Sequence, residues 1–172
     1  REEASLIALC LRQVLETPGK TAALITPDRQ LAELVIAELQ RWHILIEDSA
    51  GQPLVTTLTG RFLQLLANAV ADDLAPLPFL ALVKHPYASG GLSRRNFQDQ
   101  VTQLELAILR GPRPTISGIE GLLAAAPTED LKTFVKLQIA APLKPFLDAW
   151  MTPNPTLARM VAALAESAEL LS

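Results

Sequence analysis

The sequence predicts an α/β protein, with a partial parallel-sheet part over residues 1–88 and an all-helical part over residues 89–172. Three observations predict it. Two short apolar runs, Thr21-Ala22-Ala23-Leu24-Ile25 and Ile44-Leu45-Ile46, flank one amphipathic helical pattern, which is the order of a strand–helix–strand unit. The first run is apolar on both faces, as a strand buried in a parallel sheet has to be. From Ser93 onward only helical periods remain, separated by prolines and glycines.

Taken in order, Leu6, Leu9, Cys10, Gln13 and Val14 recur at helical spacing and predict a helix over 2–16, stopped by Thr17-Pro18-Gly19. Thr26 offers an N-cap oxygen and Pro27 a pre-set first turn for the next helix. From Asp28 its stripe is Leu31, Leu34, Val35, Leu39 and Trp42, and the face of Leu34 is expected in the core. With short links, strand, helix and strand predict a right-handed parallel crossover. Phe62, Leu65, Leu66, Ala69 and Val70 mark another helix, and a proline-bounded one runs from Leu77 to His85. Phe97, Val101, Leu104 and Ile108 mark the next, Ser117 and Glu120 form a capping box, and Leu131 to Leu137 begins a longer helix that Pro142 and Pro145 should kink or split. A last helix covers about Pro155 to Leu171.

Fifteen Lys and Arg against 18 Asp and Glu give a formal charge of −3, which excludes both a polycationic nucleic-acid clamp and an acidic disordered tail. The chain of 172 residues contains 32 Leu and 25 Ala, a composition weighted to helix. Charges or prolines interrupt every Leu-rich stretch before the roughly 18 apolar residues that a membrane span needs, so a soluble chain without a membrane partner is expected. Arg1-Glu2-Glu3 leads into an amphipathic pattern rather than a basic and then apolar leader, and a cytoplasmic location is expected. Without an initiator Met, and opening inside a helical pattern, the chain is expected to be a piece of a longer polypeptide.

Several candidate sites fail on chemistry. Gly19-Lys20-Thr21 has the ending of a phosphate-binding loop, but Val14 stands where the first Gly is needed, and the segment follows a helix instead of opening one. His43 and His85 lack neighbouring ligands, so no metal is expected. Cys10 reads as a small core residue. No nucleophile–base pair or acid–base constellation is defensible, so no catalytic residue, small-molecule substrate or cofactor is expected. The basic residues say more. Lys84, Arg94, Arg95, Arg110 and Arg113 face only Asp99 and Glu105 in their stretch, a local excess able to neutralise phosphates.

The order Glu2-Glu3-Ala4, Ala22-Ala23-Leu24-Ile25-Thr26-Pro27-Asp28-Arg29 and Ala37-Glu38-Leu39 resembles the start of the second motor domain, 2A, of UvrD-like superfamily 1 helicases. The closer resemblance is to the AddB family, the helicase-like subunit of the bacterial AddAB helicase–nuclease, in its alphaproteobacterial form. It rests on Thr17-Pro18-Gly19-Lys20-Thr21, Asp48-Ser49-Ala50-Gly51, Leu82-Val83-Lys84-His85-Pro86, Gly91-Leu92-Ser93-Arg94 and Leu109-Arg110-Gly111-Pro112-Arg113-Pro114.

The resemblance implies a RecA-like 2A part followed by a helical insertion like domain 2B. Thr26-Pro27-Asp28-Arg29 would be a motif-four-like loop, with Thr26 where active helicases carry a phosphate-reaching Arg and Ala32 where a second family Arg is found. Without those cations a phosphoryl-transfer transition state loses electrostatic support. A non-catalytic segment is therefore implied, scaffolding DNA or an AddA-type partner subunit in double-strand-break repair, within a parent resembling an ATP-dependent helicase–exonuclease. The family's nuclease motif and iron–sulfur cysteines would lie elsewhere, since one Cys cannot ligate a cluster. The other reading of the residues is a stand-alone α/β protein-interaction module with a helical appendage, unrelated to DNA.

Overall fold

The structure, a computed structural model, describes residues 1–110 and 117–172. By its internal contacts the chain divides into two units, Arg1–Gly51 and Gln52–Ser172.

In the first unit α1 (Glu2–Leu15) packs on α2 (Arg29–Gln40). Ala4 and Ala8 of α1 meet Val35 and Leu39 of α2, and small against large side chains let two helices interlock. The Arg12 guanidinium lies over the Trp42 ring, 4.8 Å from its centroid, adding a cation–π contact. The cap of α2 is Asp28, in place of the expected Thr26. Its carboxylate accepts the N–H groups of Gln30 and Leu31 at 2.9 and 3.2 Å, while Thr26 Oγ1 accepts the Asp28 N–H at 3.1 Å. A charged acceptor suits the positive end of the helix better than a hydroxyl, and Pro27 is left outside. His43 takes a left-handed conformation, φ +59°, as the Ile44 N–H reaches back to the Leu39 carbonyl and closes α2.

No strand forms among the described residues, and the expected α/β fold with its partial RecA-like parallel sheet is replaced by helices. The reason lies in pairing. Residues 20–26 and 44–48 are unturned, unbent chain, yet no backbone N–H or C=O of residues 21–26 or 45–47 has a hydrogen-bond partner within the described residues. An apolar run becomes a strand only beside another one, and these two do not join in a ladder. Two further expectations fail in the same unit. Leu34 is 39% exposed, with Val35 taking the buried position beside it, and Cys10 is exposed.

The second unit begins with a 3₁₀ turn, Leu54–Thr56, and continues as α3 (Leu58–Ala71), α4 (Pro76–Val83), α5 (Arg94–Leu104), α6 (Gly118–Ala125), α7 (Glu129–Phe134), α8 (Ala141–Met151) and α9 (Leu157–Leu171). Local chemistry starts most of them. Thr57, Ser93, Thr128 and Thr156 each accept an N–H from the first turn, at 3.0 to 3.3 Å, and Pro76 opens α4. The expected capping box at Ser117 does not form, because its hydroxyl bonds the Asp73 carboxylate instead. The core joins Phe62 and Leu66 of α3, Phe79 and Leu82 of α4, Phe97 and Val101 of α5, Leu143 and Phe146 of α8 and Leu171 of α9.

Between α7 and α8 the helix continues as a π-helical segment, Val135–Ala140, so Pro142 and Pro145 neither stop it nor split the chain. A proline removes one N–H and crowds the carbonyl four residues back, and a widened turn makes room for both effects. Beyond the prolines, the Phe146 N–H is accepted by Ser167 Oγ of α9 at 3.0 Å, which fixes these helices to one another. One turn further on, at the C-terminus of α9, the N–H groups of Ser89 and Gly90 both bond the Leu171 carbonyl at 2.9 Å, satisfying a helix terminus that would otherwise lack partners.

Candidate nucleic-acid interface

The five basic residues singled out by sequence do not act alike. Glu105 opens the π-helical segment Glu105–Leu109 that extends α5, and its side chain is only 9% exposed. One carboxylate oxygen meets Lys84 Nζ from the end of α4, and the other accepts from Arg110 Nε at 2.9 Å. Lys84 first and Arg110 second hold the Glu105 carboxyl below its ordinary pKa of 4.5. One acid thus holds two of the five cations and offsets one of their two charges. Arg94 is also committed, donating from Nη1 to the carbonyls of Pro86 and His85 and so fastening α5 to the turn after α4. Arg95, exposed beside it, makes no ion pair or side-chain hydrogen bond within the described residues. Arg113 lies outside the described residues.

Near Arg94 the structure assembles a group that the sequence reading passed over. The His85 ring stacks on Phe62 at 5.0 Å between centroids, and Tyr87 stands edge-on to both, at 5.4 and 6.0 Å. His85 is buried, its Nδ1 accepting the Tyr87 N–H at 3.2 Å and its Nε2 having no hydrogen-bond partner within the described residues. Burial foremost, then the charges of Arg94 and Arg61, push its pKa below the ordinary 6.5. Arg61, exposed on α3, makes no ion pair within the described residues. Arg61 and Arg94 therefore adjoin a partly exposed aromatic cluster, and Arg95 follows Arg94 in the first turn of α5. The available signals were Arg61 next to Phe62 and Tyr87 two residues after His85. Arg61 escaped because the charge window began at Lys84.

The motif-four-like loop is occupied with its own architecture. Asp28 caps α2, and Arg29 donates through Nη1 to both oxygens of Asp48, at 2.9 and 3.1 Å, and through Nη2 to the Gly51 carbonyl at 3.4 Å. Arg29, with the Ala50 N–H, lowers the pKa of Asp48. The loop's only cation is thus turned to the 48–51 turn. Gly19, at φ +80°, and the Lys20 N–H bonded to the Thr17 carbonyl make Gly19-Lys20-Thr21 a turn after α1. Among the described residues no group of three or more His, Cys, Asp or Glu is placed to hold a metal ion, and no helix is long and apolar enough to cross a membrane.

Acid should act on this region in two steps. With its folded pKa depressed, His85 resists the proton that the unfolded chain accepts, so stability falls as pH drops below about 6.5 until the folded His85 also titrates. Glu105, likewise depressed, contributes stability above about 4.5 that is lost as pH falls through its folded pKa. Urea midpoints measured from pH 7.5 down to 3 should therefore begin to decline below about 6.5, before the Glu105 step below about 4.5. The variant His85→Asn, whose Oδ1 can keep the bond to Tyr87, should flatten that first decline and leave the later one. An unchanged slope in the variant would remove His85 as its source.

No protein-family model, curated protein or solved structure matches the chain.

Proposed function

We propose that this chain is a non-catalytic segment of an AddB-type subunit of a bacterial double-strand-break helicase–nuclease, where it supports DNA alongside an AddA-type partner. The family part of the proposal rests on the motif order in the sequence. The DNA part is carried by one observation: Arg61 and Arg94 lie beside the Phe62–His85–Tyr87 cluster, and Arg95, the next residue of α5, has no ion pair within the described residues. Cations beside a partly exposed aromatic ring fit single-stranded nucleic acid, since phosphates meet the bases and one base can stack on the ring. No chemistry is assigned to the segment. Lys84 and Arg110 are engaged by Glu105 and contribute less to this surface than their number suggests.

The test is a titration of labelled single- and double-stranded oligonucleotides at two salt concentrations. Wild type should bind weakly, with a Kd on the order of 10⁻⁴ M or above at physiological salt, and more tightly as salt is lowered. Arg61→Glu/Arg95→Glu changes two side chains without structural partners and should weaken binding at least about tenfold while flattening the salt dependence. Tyr87→Ala should reduce binding of the single strand more than that of the duplex. Binding that the double reversal leaves unchanged would refute the DNA part.

A further inference from the structure

The first unit holds an open-sided groove of about 690 Å³ between its two unturned segments, residues 22–26 and 44–48. Its floor is apolar, with Val35, Ile36 and Leu39 of α2 lining it. Its walls share three properties. At one step of each wall neighbouring side chains face opposite ways: Leu24 and Ile44 pack on the α1–α2 core, whereas the next residues, Ile25 and Leu45, are 94% and 95% exposed. The backbone donors and acceptors of residues 22–26 and 45–47 lack partners within the described residues, only the Ile44 N–H and the Asp48 carbonyl at the ends of the second wall being bonded. Ile25, Thr26, Ile44 and Ile46 are of types that favour strands, and the exposed aliphatic Ile25 and Leu45 gain little from standing in water.

A groove bounded on both sides by unpaired strand-like backbone selects its occupant by hydrogen bonding, not by apolar contact alone. A small molecule would find few convergent polar side chains, because Arg29 and Asp48 are engaged with one another. A second copy offers only the same two walls, whose inward side chains already pack on its own helices. An extended polypeptide supplies an N–H and a C=O to each side along its whole length. Charge then fixes its end. Glu47 is the one charged residue in the lining without an ion pair, so an apolar strand ending in a Lys or Arg over Glu47 complements the groove.

We infer that the first unit is completed by strand addition: an apolar, extended segment of another polypeptide, with a basic residue at the Glu47 end, inserts between residues 22–26 and 44–47 and makes a three-stranded sheet on α1 and α2. This goes beyond the DNA-supporting role and is independent of it, as every residue involved lies in Arg1–Gly51.

The probe is a soluble six-residue peptide of alternating Val and Thr ending in Lys, blocked at both ends and carrying a fluorophore on a spacer, titrated into the full chain by anisotropy. Isotope-edited infrared spectra follow the amide I band of the labelled peptide. Binding should bring a β-type amide I shift. Methylating alternate backbone nitrogens of the peptide should weaken binding at least tenfold. In the variant Glu47→Lys, a peptide ending in Glu should displace the Lys-ended one as the tighter ligand. The inference is overturned if no binding is seen up to about 1 mM, if the N-methylated peptide binds equally well, or if sedimentation shows the groove closed by dimerisation of the chain itself. The peptide modification leaves the protein untouched, so a variant that fails to fold does not decide the matter.

Discussion

Phe97→Ala is expected to lower the stability of the second unit by about 3–5 kcal/mol, the range for truncating a fully buried aromatic residue. Phe97 has no exposed surface, and its ring lies 5.4 Å from that of Phe134, so the void would open between α5 and α7 where neither helix can move without breaking other packing. At about 2–4 °C per kcal/mol the thermal midpoint should drop by roughly 6–20 °C. Trp150, tilted against Phe146 at 6.1 Å, reports on this unit, and Trp42→Phe silences the reporter in the other. The exposed Leu106→Ala is the control and should stay within about 0.5 kcal/mol. A loss for Phe97→Ala no larger than that of the control would show that α5 is not anchored through this ring. The consequence reaches the candidate interface, because α5 carries Arg94 and Arg95 in its first turn.

Most helices were readable from the sequence because their signals are local. Thr57, Ser93, Thr128 and Thr156 stand immediately before apolar periods, and a cap needs only its own next three residues to act. The strands were not readable, since nothing in Ala22–Ile25 or Ile44–Ile46 says whether a neighbour will be present to pair with. Periodicity also left the phase of α2 open by one position: Leu34 and Val35 both fit a wide stripe, and packing on Ala4 and Ala8 chose Val35. For Cys10 the same ambiguity ended in exposure.

The interface was readable as an excess of charge but not as an arrangement. A count treats Glu105 as one of two acids, whereas its placement between Lys84 and Arg110 engages two cations at once. The count also cannot see Arg61, which is distant in sequence from Arg94 and joins it only because α3 packs on α4 and Phe62 stacks on His85. Pro142 shows the converse case. Its effect on the helix was foreseen as a kink or split, and the π-helical segment before it absorbs the strain without ending the helix.

Gly90→Ala and Gly91→Ala should separate sharply although the residues are adjacent and both have positive φ, +54° and +78°. A left-handed conformation costs an L-residue about 1–2 kcal/mol, and both variants incur that cost. At Gly91 a new Cβ meets nothing within 4 Å, so the loss should end there. At Gly90 it would fall 2.8 Å from the Gln138 carbonyl oxygen, 2.9 Å from Gln138 Cβ and 3.0 Å from Phe97 Cε2. That carbonyl belongs to the π-helical segment, four residues before Pro142, whose ring crowds the carbonyl at that position, so the backbone there shifts only by disturbing α8. Relief in the other direction would draw Gly90 away from the Leu171 carbonyl and uncap α9. Overpacking of this kind adds about 1–3 kcal/mol, so Gly90→Ala should cost about 2–5 kcal/mol in total against about 1–2 for Gly91→Ala. Denaturant midpoints read from Trp150 decide it. Equal losses at the two positions would mean that residue 90 does not pack against the helix between α7 and α8, and the close contact through which that turn holds α9 to the core would be wrong.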